Sequence, residues 1–197
     1  MQRSLVGSEM CIRDSYEAQL GKEEMPQGEV HVFCGAYRAD EFEELLQYAD
    51  HIVFNSIHQL KQFGPRGKEA GKSLGLRINP QCSTQEGHAI YDPCAPGSRM
   101  GVTRDVWDKE MDEDTLALLD GLHFHTLCEQ NSDDLKTTLQ AVEEKFGDIL
   151  TGMKWLNMGG GHHITRPDYD LAALEDCIRH AQQAWGAVSY THLTLPT

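Results

Sequence analysis

Apolar residues along this chain recur with two alternating spacings. Short apolar runs of strand length stand at 30–34 (VHVFC), 51–55 (HIVFN), 74–78 (LGLRI) and 122–126 (LHFHT), and a fifth opens at Trp155. Between them apolar positions fall three and four residues apart, the period of a helix that buries one face. Residues 40–49 set Phe42, Leu45, Leu46 and Ala49 on one such face, and 16–24, 114–119 and 133–146 also read as helices. Residues 57–63 and 67–70 read as two helical pieces parted by Gly64-Pro65, since proline removes a helical donor and clashes with the preceding turn. A last helix starts at Asp168 or Asp170, an aspartate serving as N-cap, with Leu171, Leu174, Cys177 and Ile178 at helical spacing. Five strands alternating with helices describe a parallel α/β protein, either an open doubly wound sheet or part of a (β/α)8 barrel.

Two connections depart from this rhythm. Trp155, Leu156 and Met158 run into Gly159, Gly160 and Gly161 before the last helix. One glycine supplies a turn's positive φ, so three suggest a second purpose: a row of unshielded backbone N–H groups suited to a phosphate. A plain strand-to-helix turn is the alternative. Residues 79–101 form a long segment without helical period, at the end of a strand where parallel α/β proteins build their sites. Its Asp92, Cys94 and Arg99 either line a pocket or stand in solvent. On the fourth strand His123 and His125 share a face. That pair is either a cofactor wall or the start of a metal site, which His162 or His163 would complete; a hydrogen-bonded core role for His123 is the simpler option.

Composition narrows the classes. With 197 residues, 40% hydrophobic and 24% charged, the chain can bury an ordinary core. A net charge of −14 disfavours nucleic acid and suits cationic ligands. Six cysteines without a C-x-x-C pair fit reduced thiols in the cytoplasm rather than a disulfide framework. No apolar run approaches the ~20 residues of a membrane span. Both ends, 1–15 and 188–197, lack periodic continuity with their neighbours and resemble translated adapter sequence. Arg3 and Arg13 balance Glu9 and Asp14, so the net charge resides in 16–187, the expected folded unit.

Four stretches carry a resemblance: 76–80 (LRINP), 90–99 (IYDPCAPGSR), 121–130 (GLHFHTLCEQ) and 157–166 (NMGGGHHITR). In this order they resemble the carboxynorspermidine/carboxyspermidine decarboxylases, relatives of the ornithine, arginine and diaminopimelate decarboxylases and of alanine racemase. The resemblance implies a (β/α)8 barrel that binds pyridoxal 5'-phosphate (PLP), followed by a C-terminal β-domain, and so selects the barrel over the open sheet. It also implies that Gly159, Gly160 and Gly161 bind the phosphate and that His125 stacks on the pyridine ring. Cys128 stands where related enzymes carry a serine near the cofactor, Arg77 lies close to it, and His162 and His163 have no separate assignment.

The implied reaction is loss of the α-carboxyl group from carboxynorspermidine or carboxyspermidine, with PLP as electron sink and polyamine as product. The implied enzyme is a cytoplasmic homodimer without a metal, bound neither to nucleic acid nor to a membrane. The lysine that anchors PLP is expected upstream of Tyr16, and the β-domain beyond Gly186, which makes this chain an interior fragment lacking the β-domain and catalytically inert by itself. Lys154 stands at a strand, but at its start, about 13 Å from the glycine run at ~3.3 Å per residue. Two other functions stay open: a metal-dependent barrel hydrolase using His123 and His125, and a PLP-binding protein without catalysis.

Overall fold

The computed structural model describes residues 9–12, 15–85 and 92–190, with side chains for 15–85 and 92–187. The elements run β1 (Glu9–Ile12), α1 (Ser15–Glu24), β2 (Glu29–Phe33), α2 (Ala39–Tyr48), β3 (His51–Phe54), α3 (Ile57–Glu69) and β4 (Ser73–Arg77). They continue with α4 (Arg104–Glu110), α5 (Glu113–Leu116), β5 (Gly121–His123), α6 (Ser132–Leu150), β6 (Trp155–Asn157), α7 (Leu171–Trp185) and β7 (Val188–Tyr190).

All seven strands join one parallel sheet in the order β1-β2-β3-β4-β5-β6-β7. Strand order equal to chain order is what separates the two expected folds. A doubly wound sheet reverses direction at a switch point, whereas a sheet whose crossovers all share one hand grows steadily and carries its helices on one face. The fold is therefore the expected partial (β/α)8 barrel.

Side-chain alternation divides the sheet into two unlike faces. Val30, Val32, Ile52, Phe54, Leu74, Leu76, Leu122, Phe124, Leu156 and Met158 are buried in the main core, together with the apolar stripes of α2, α3, α6 and α7. The odd-numbered residues of β2 to β6 face the inner side, where Val53, Trp155 and Phe33 form a separate small cluster. Trp155 explains two of the strand glycines. A Cβ on Gly121 would overlap its indole, and one on Gly75 would come within 2.9 Å of its Cζ2, so both positions have room only for hydrogen. The indole N–H donates to Ser73 Oγ at 2.8 Å.

Several expectations need correction. Helix α3 runs unbroken through Pro65. Gly64 and Gly67 lie buried against Leu118, Leu60 and Leu74, so this face is held on the sheet by close packing, and the proline ring stands on the exposed side. Helix α4 was not legible, having a single buried residue, Trp107, to signal a period. The helix expected at 114–119 is the single turn Glu113–Leu116, and strand β5 ends at His123 rather than 126. The backbones of Glu9–Ile12 and Val188–Tyr190, within segments set aside as foreign, occupy the two edges of the sheet. An edge ladder accepts any extended backbone, whatever its hydrophobic period. The remaining tail residues, 1–8, 13–14 and 191–197, and residues 86–91 lie outside the described residues.

Candidate functional site

The loops leaving the C-terminal ends of β4, β5 and β6 meet over the inner face, and this is where the proposed site residues gather. Asn157, the last residue of β6, is buried and accepts through Oδ1 from the Gly159 N–H at 2.9 Å. The same oxygen lies 3.0 Å from His123 Nδ1. Since an amide oxygen only accepts, His123 carries a proton on Nδ1. That assignment makes His123 a buried, hydrogen-bonded strand residue. Its ring lies 6.4 Å from that of His125 and 5.4 Å from Phe33, and Nδ1 is closed to a metal.

His125 lies two residues beyond the strand, and its Nδ1 accepts from the Gly160 N–H at 3.3 Å. Arg77, closing β4, is buried. Its Nη2 donates to the His125 carbonyl at 3.1 Å, and its guanidinium sits 4.8 Å from the centre of the Phe33 ring. One buried cation thus fixes the backbone that carries His125.

The glycine run is more occupied than its sequence suggests. Gly159 and Gly161 have φ of 70° and 87°. Added Cβ atoms would strike the Phe124 carbonyl oxygen at 2.5 Å in one case and overlap the Leu127 carbonyl in the other. These two glycines are thus required by positive φ and by close approach to 124–128. With the Gly159 and Gly160 N–H groups held by Asn157 and His125, the expected row of unshielded donors is only partly realised.

Gln130 was missed as a site residue, although it closes the third motif. Its N–H donates to the Gly161 carbonyl at 3.0 Å, and its carbonyl accepts from the His163 N–H at 3.1 Å. Its side-chain Nε2 donates to Thr84 O and Oγ1 at 2.8 and 2.9 Å, and its Oε1 accepts from the Cys128 N–H and Gln85 Nε2. A single glutamine therefore ties the β4, β5 and β6 loops together. Cys128 is exposed beside it, its backbone nitrogen 3.0 Å from where a Cβ of Gly161 would stand.

His162 is fully buried. Its Nδ1 meets the Tyr169 hydroxyl at 2.8 Å, and its Nε2 has no hydrogen-bond partner among the described residues. Burial pushes its pKa down to about 4 and that of Tyr169 up to about 12, so both are neutral. His162 braces the loop, while His163 is half-buried. In the β4 loop, Asp92 caps its own turn by accepting from the Cys94 N–H at 2.8 Å, and burial pushes the Cys94 thiol up to about 11. The Arg99 carbonyl is held by Asn55 Nδ2 at 2.8 Å, and Asn79 grips the Pro93 and Met100 carbonyls. Two positions of the second motif, 90 and 91, lie outside the described residues. Lys154 stands at the other end of the sheet, its Nζ 2.7 Å from Asp120.

No protein-family model matches the chain. It is 38% identical over 175 residues to a carboxynorspermidine/carboxyspermidine decarboxylase of Campylobacter jejuni, covering 89% of this chain and 44% of that protein. A protein of the same name from Herminiimonas arsenicoxydans is 31% identical, covering 89% and 46%. A carboxyaminopropylagmatine decarboxylase of Synechocystis is 36% identical, covering 79% and 39%. The chain thus spans less than half the length of the curated relatives it matches. Among solved structures, carboxynorspermidine decarboxylase from Campylobacter jejuni, complexed with norspermidine, superposes with a TM-score of 0.79 at 35% identity, over 93% of this chain and 45% of that one. Diaminopimelate decarboxylase from Helicobacter pylori shares the fold, with a TM-score of 0.72 at 13% identity over 94% of this chain and 50% of that one. An SrLDC variant solved in complex with PLP does so at 0.63 and 14%, over 95% and 50%. The expected resemblance and fold are borne out.

Proposed function

We propose that this chain is the interior of a PLP-dependent carboxy-lyase that removes the α-carboxyl group from carboxynorspermidine or carboxyspermidine. The observation that carries this reading is convergence. Arg77, His125, Cys128 and the glycine run come from three different strand ends, yet a web of hydrogen bonds holds them together at the C-terminal end of a barrel sheet, where such folds place their chemistry.

The residues present fit the cofactor in part. The Gly160 N–H, held by a long hydrogen bond to His125, can turn to a phosphate, and Gly161 offers a second backbone donor beside it. The Gly159 N–H remains with Asn157. With Nδ1 turned from Gly160, the His125 imidazole would lie along a pyridine ring, while Arg77 holds its backbone and adds a buried positive charge. Cys128 borders the same space. The cofactor, when bound, supplies an electron sink for the bond to CO2. The chain's part is to orient the ring and to exclude water through the loops that Gln130 joins. The acidic charge suits a polycationic substrate without selecting among polyamines. In this reading 16–187 is the barrel domain proper, with the backbones of Glu9–Ile12 and Val188–Tyr190 only completing its edges, the lysine that anchors PLP and the β-domain belong to the longer protein, and that protein is a cytoplasmic homodimer.

The test is PLP titration of this chain by cofactor absorbance, followed by CO2 release from both carboxylated polyamines by a longer protein that carries it. Saturable binding, weakened at least tenfold by His125→Ala, and PLP-dependent CO2 release are expected. A folded chain that ignores PLP, or CO2 release that requires a divalent metal in place of PLP, would overturn the proposal.

A further inference from the structure

We propose a second site at the opposite, N-terminal end of the sheet: a structural centre for a zinc-type divalent transition metal, built from Glu29, His31 and His51. Glu29 and His31 are two apart on β2 and so share the inner face, and His31 is the register partner of His51 on β3. Glu29 Oε2 lies 3.5 Å from His51 Nε2. The two imidazoles stack at 4.0 Å between centroids and 8° between planes. One ligand atom from each of the three residues lies within 4.8 Å of the other two.

The chemistry of this set is selective. Two imidazole nitrogens and one carboxylate oxygen suit zinc, cobalt or nickel, whereas magnesium and calcium prefer oxygen throughout. Donors around a tetrahedral zinc stand about 3.4 Å apart, so binding requires the cluster to contract by about 1 Å. Glu29, 41% exposed in its side chain, swings to meet the ion. The two rings tilt out of parallel so that their lone pairs converge. Trp155 stands edge-on to both rings, at 6.0 and 5.5 Å, and shields them on the barrel side. Three protein ligands leave one position for water, reached from the Glu29 side. A metal here would staple β2 to β3 far from His125 and the glycine run, so its role would be stability, and it does not depend on the decarboxylase reading.

The test titrates the whole chain with Zn2+ and with Co2+, whose visible bands report coordination, using Mg2+ as control and urea unfolding as a second readout. One equivalent per chain, a cobalt spectrum of low coordination number and a raised urea midpoint with zinc alone are expected. Glu29→Gln and His51→Gln should each weaken binding at least tenfold, and Glu29→Gln should leave PLP titration unchanged. Glu29 is partly exposed, so its variant keeps the fold even if a histidine variant does not. The proposal is overturned by an absence of saturation, by an equal response to Mg2+, or by zinc affinity that survives Glu29→Gln.

Discussion

The two ends of the sheet's inner face are held by different means. At the N-terminal end side chains mostly meet side chains: Trp155 lies over Gly75 and Gly121, His31 stacks on His51, and the Asp120 carboxylate meets Lys68 and Lys154 while also accepting from the Leu74 N–H. At the C-terminal end side-chain amides hold loop backbone. Asn157 holds Gly159, Asn79 holds Pro93 and Met100, Asn55 holds Arg99 and Gly101, and Gln130 holds Thr84 and Cys128. The difference follows from secondary structure. Within strands the ladder satisfies the backbone and leaves side chains free to pack, whereas loops have peptide groups without partners that something must satisfy. One end is thus held mainly by side-chain packing and the other by amides that fix the shape of its loops.

The largest effects should come from adding one methyl group at each end. Gly161→Ala forces an L residue to φ of 87° and drives its Cβ into the Leu127 carbonyl, a cost of about 3 to 5 kcal/mol. No side-chain change relieves it, because the obstacle is backbone; adding Leu127→Ala should be additive within about 0.5 kcal/mol. Gly121→Ala has the Trp155 side chain as its nearest obstacle and should cost about 2 kcal/mol. Here Trp155→Phe should restore a substantial part. Urea midpoints for the two double-mutant cycles decide the matter. Strong coupling at Leu127, or none at Trp155, would show that the two ends are not built differently.

This contrast also explains what could be read from the sequence. The outer face of the sheet was legible because Val32, Ile52, Leu74, Leu122 and Leu156 belong to short runs with an apolar residue at every second position, and the longer helices because one face of each repeats at 3.6 residues. The inner face was not, since it mixes histidine, glycine, phenylalanine and tryptophan whose meaning depends on partners far away in the chain. Gly121 makes sense only once Trp155, 34 positions on, is known to fill its space. His123 was correctly favoured as a hydrogen-bonded residue, but its partner Asn157 sat unnoticed at the head of the glycine motif. Gln130 likewise closed a motif without being singled out. Pro65 misled because a local rule was applied to a helix that is held by packing of its glycine face.

The second effect should appear on acidification, at the C-terminal end. His162 is neutral in the fold with a pKa near 4, against an ordinary value of 6.5. The unfolded chain therefore takes up a proton first as pH falls. The stability contribution is complete above about pH 6.5 and is lost progressively between 6.5 and 4, reaching about 3 kcal/mol. His162→Asn, which cannot titrate, should be less stable at pH 7 and show a shallower loss across that interval, the remainder belonging to His51, whose pKa burial also lowers. Urea unfolding at half-unit pH steps measures it. An unchanged slope in the variant would mean that another group carries the acid sensitivity.

The smallest effect belongs to Asp120, at the N-terminal end. Burial raises the pKa of this carboxyl, but hydrogen bonds from Lys154 and Lys68 and from the Leu74 N–H outweigh it, so the net shift is downward. A depressed carboxylate pKa contributes stability above its ordinary value near 4, and the contribution is lost as pH falls through the folded value. Asp120→Asn should therefore cost about 1 to 2 kcal/mol at pH 7, and the gap from the parent should close only below about pH 4. Lys154 is 77% exposed, so water screens its share of the pair. Lys154→Met should accordingly have a much smaller effect than Asp120→Asn. Stability plotted against pH should then show two separate steps, one above pH 4 reduced by His162→Asn and one below it removed by Asp120→Asn. If Asp120→Asn erased the upper step instead, the two ends would titrate as one coupled unit, and their separation in structure would have no counterpart in energy.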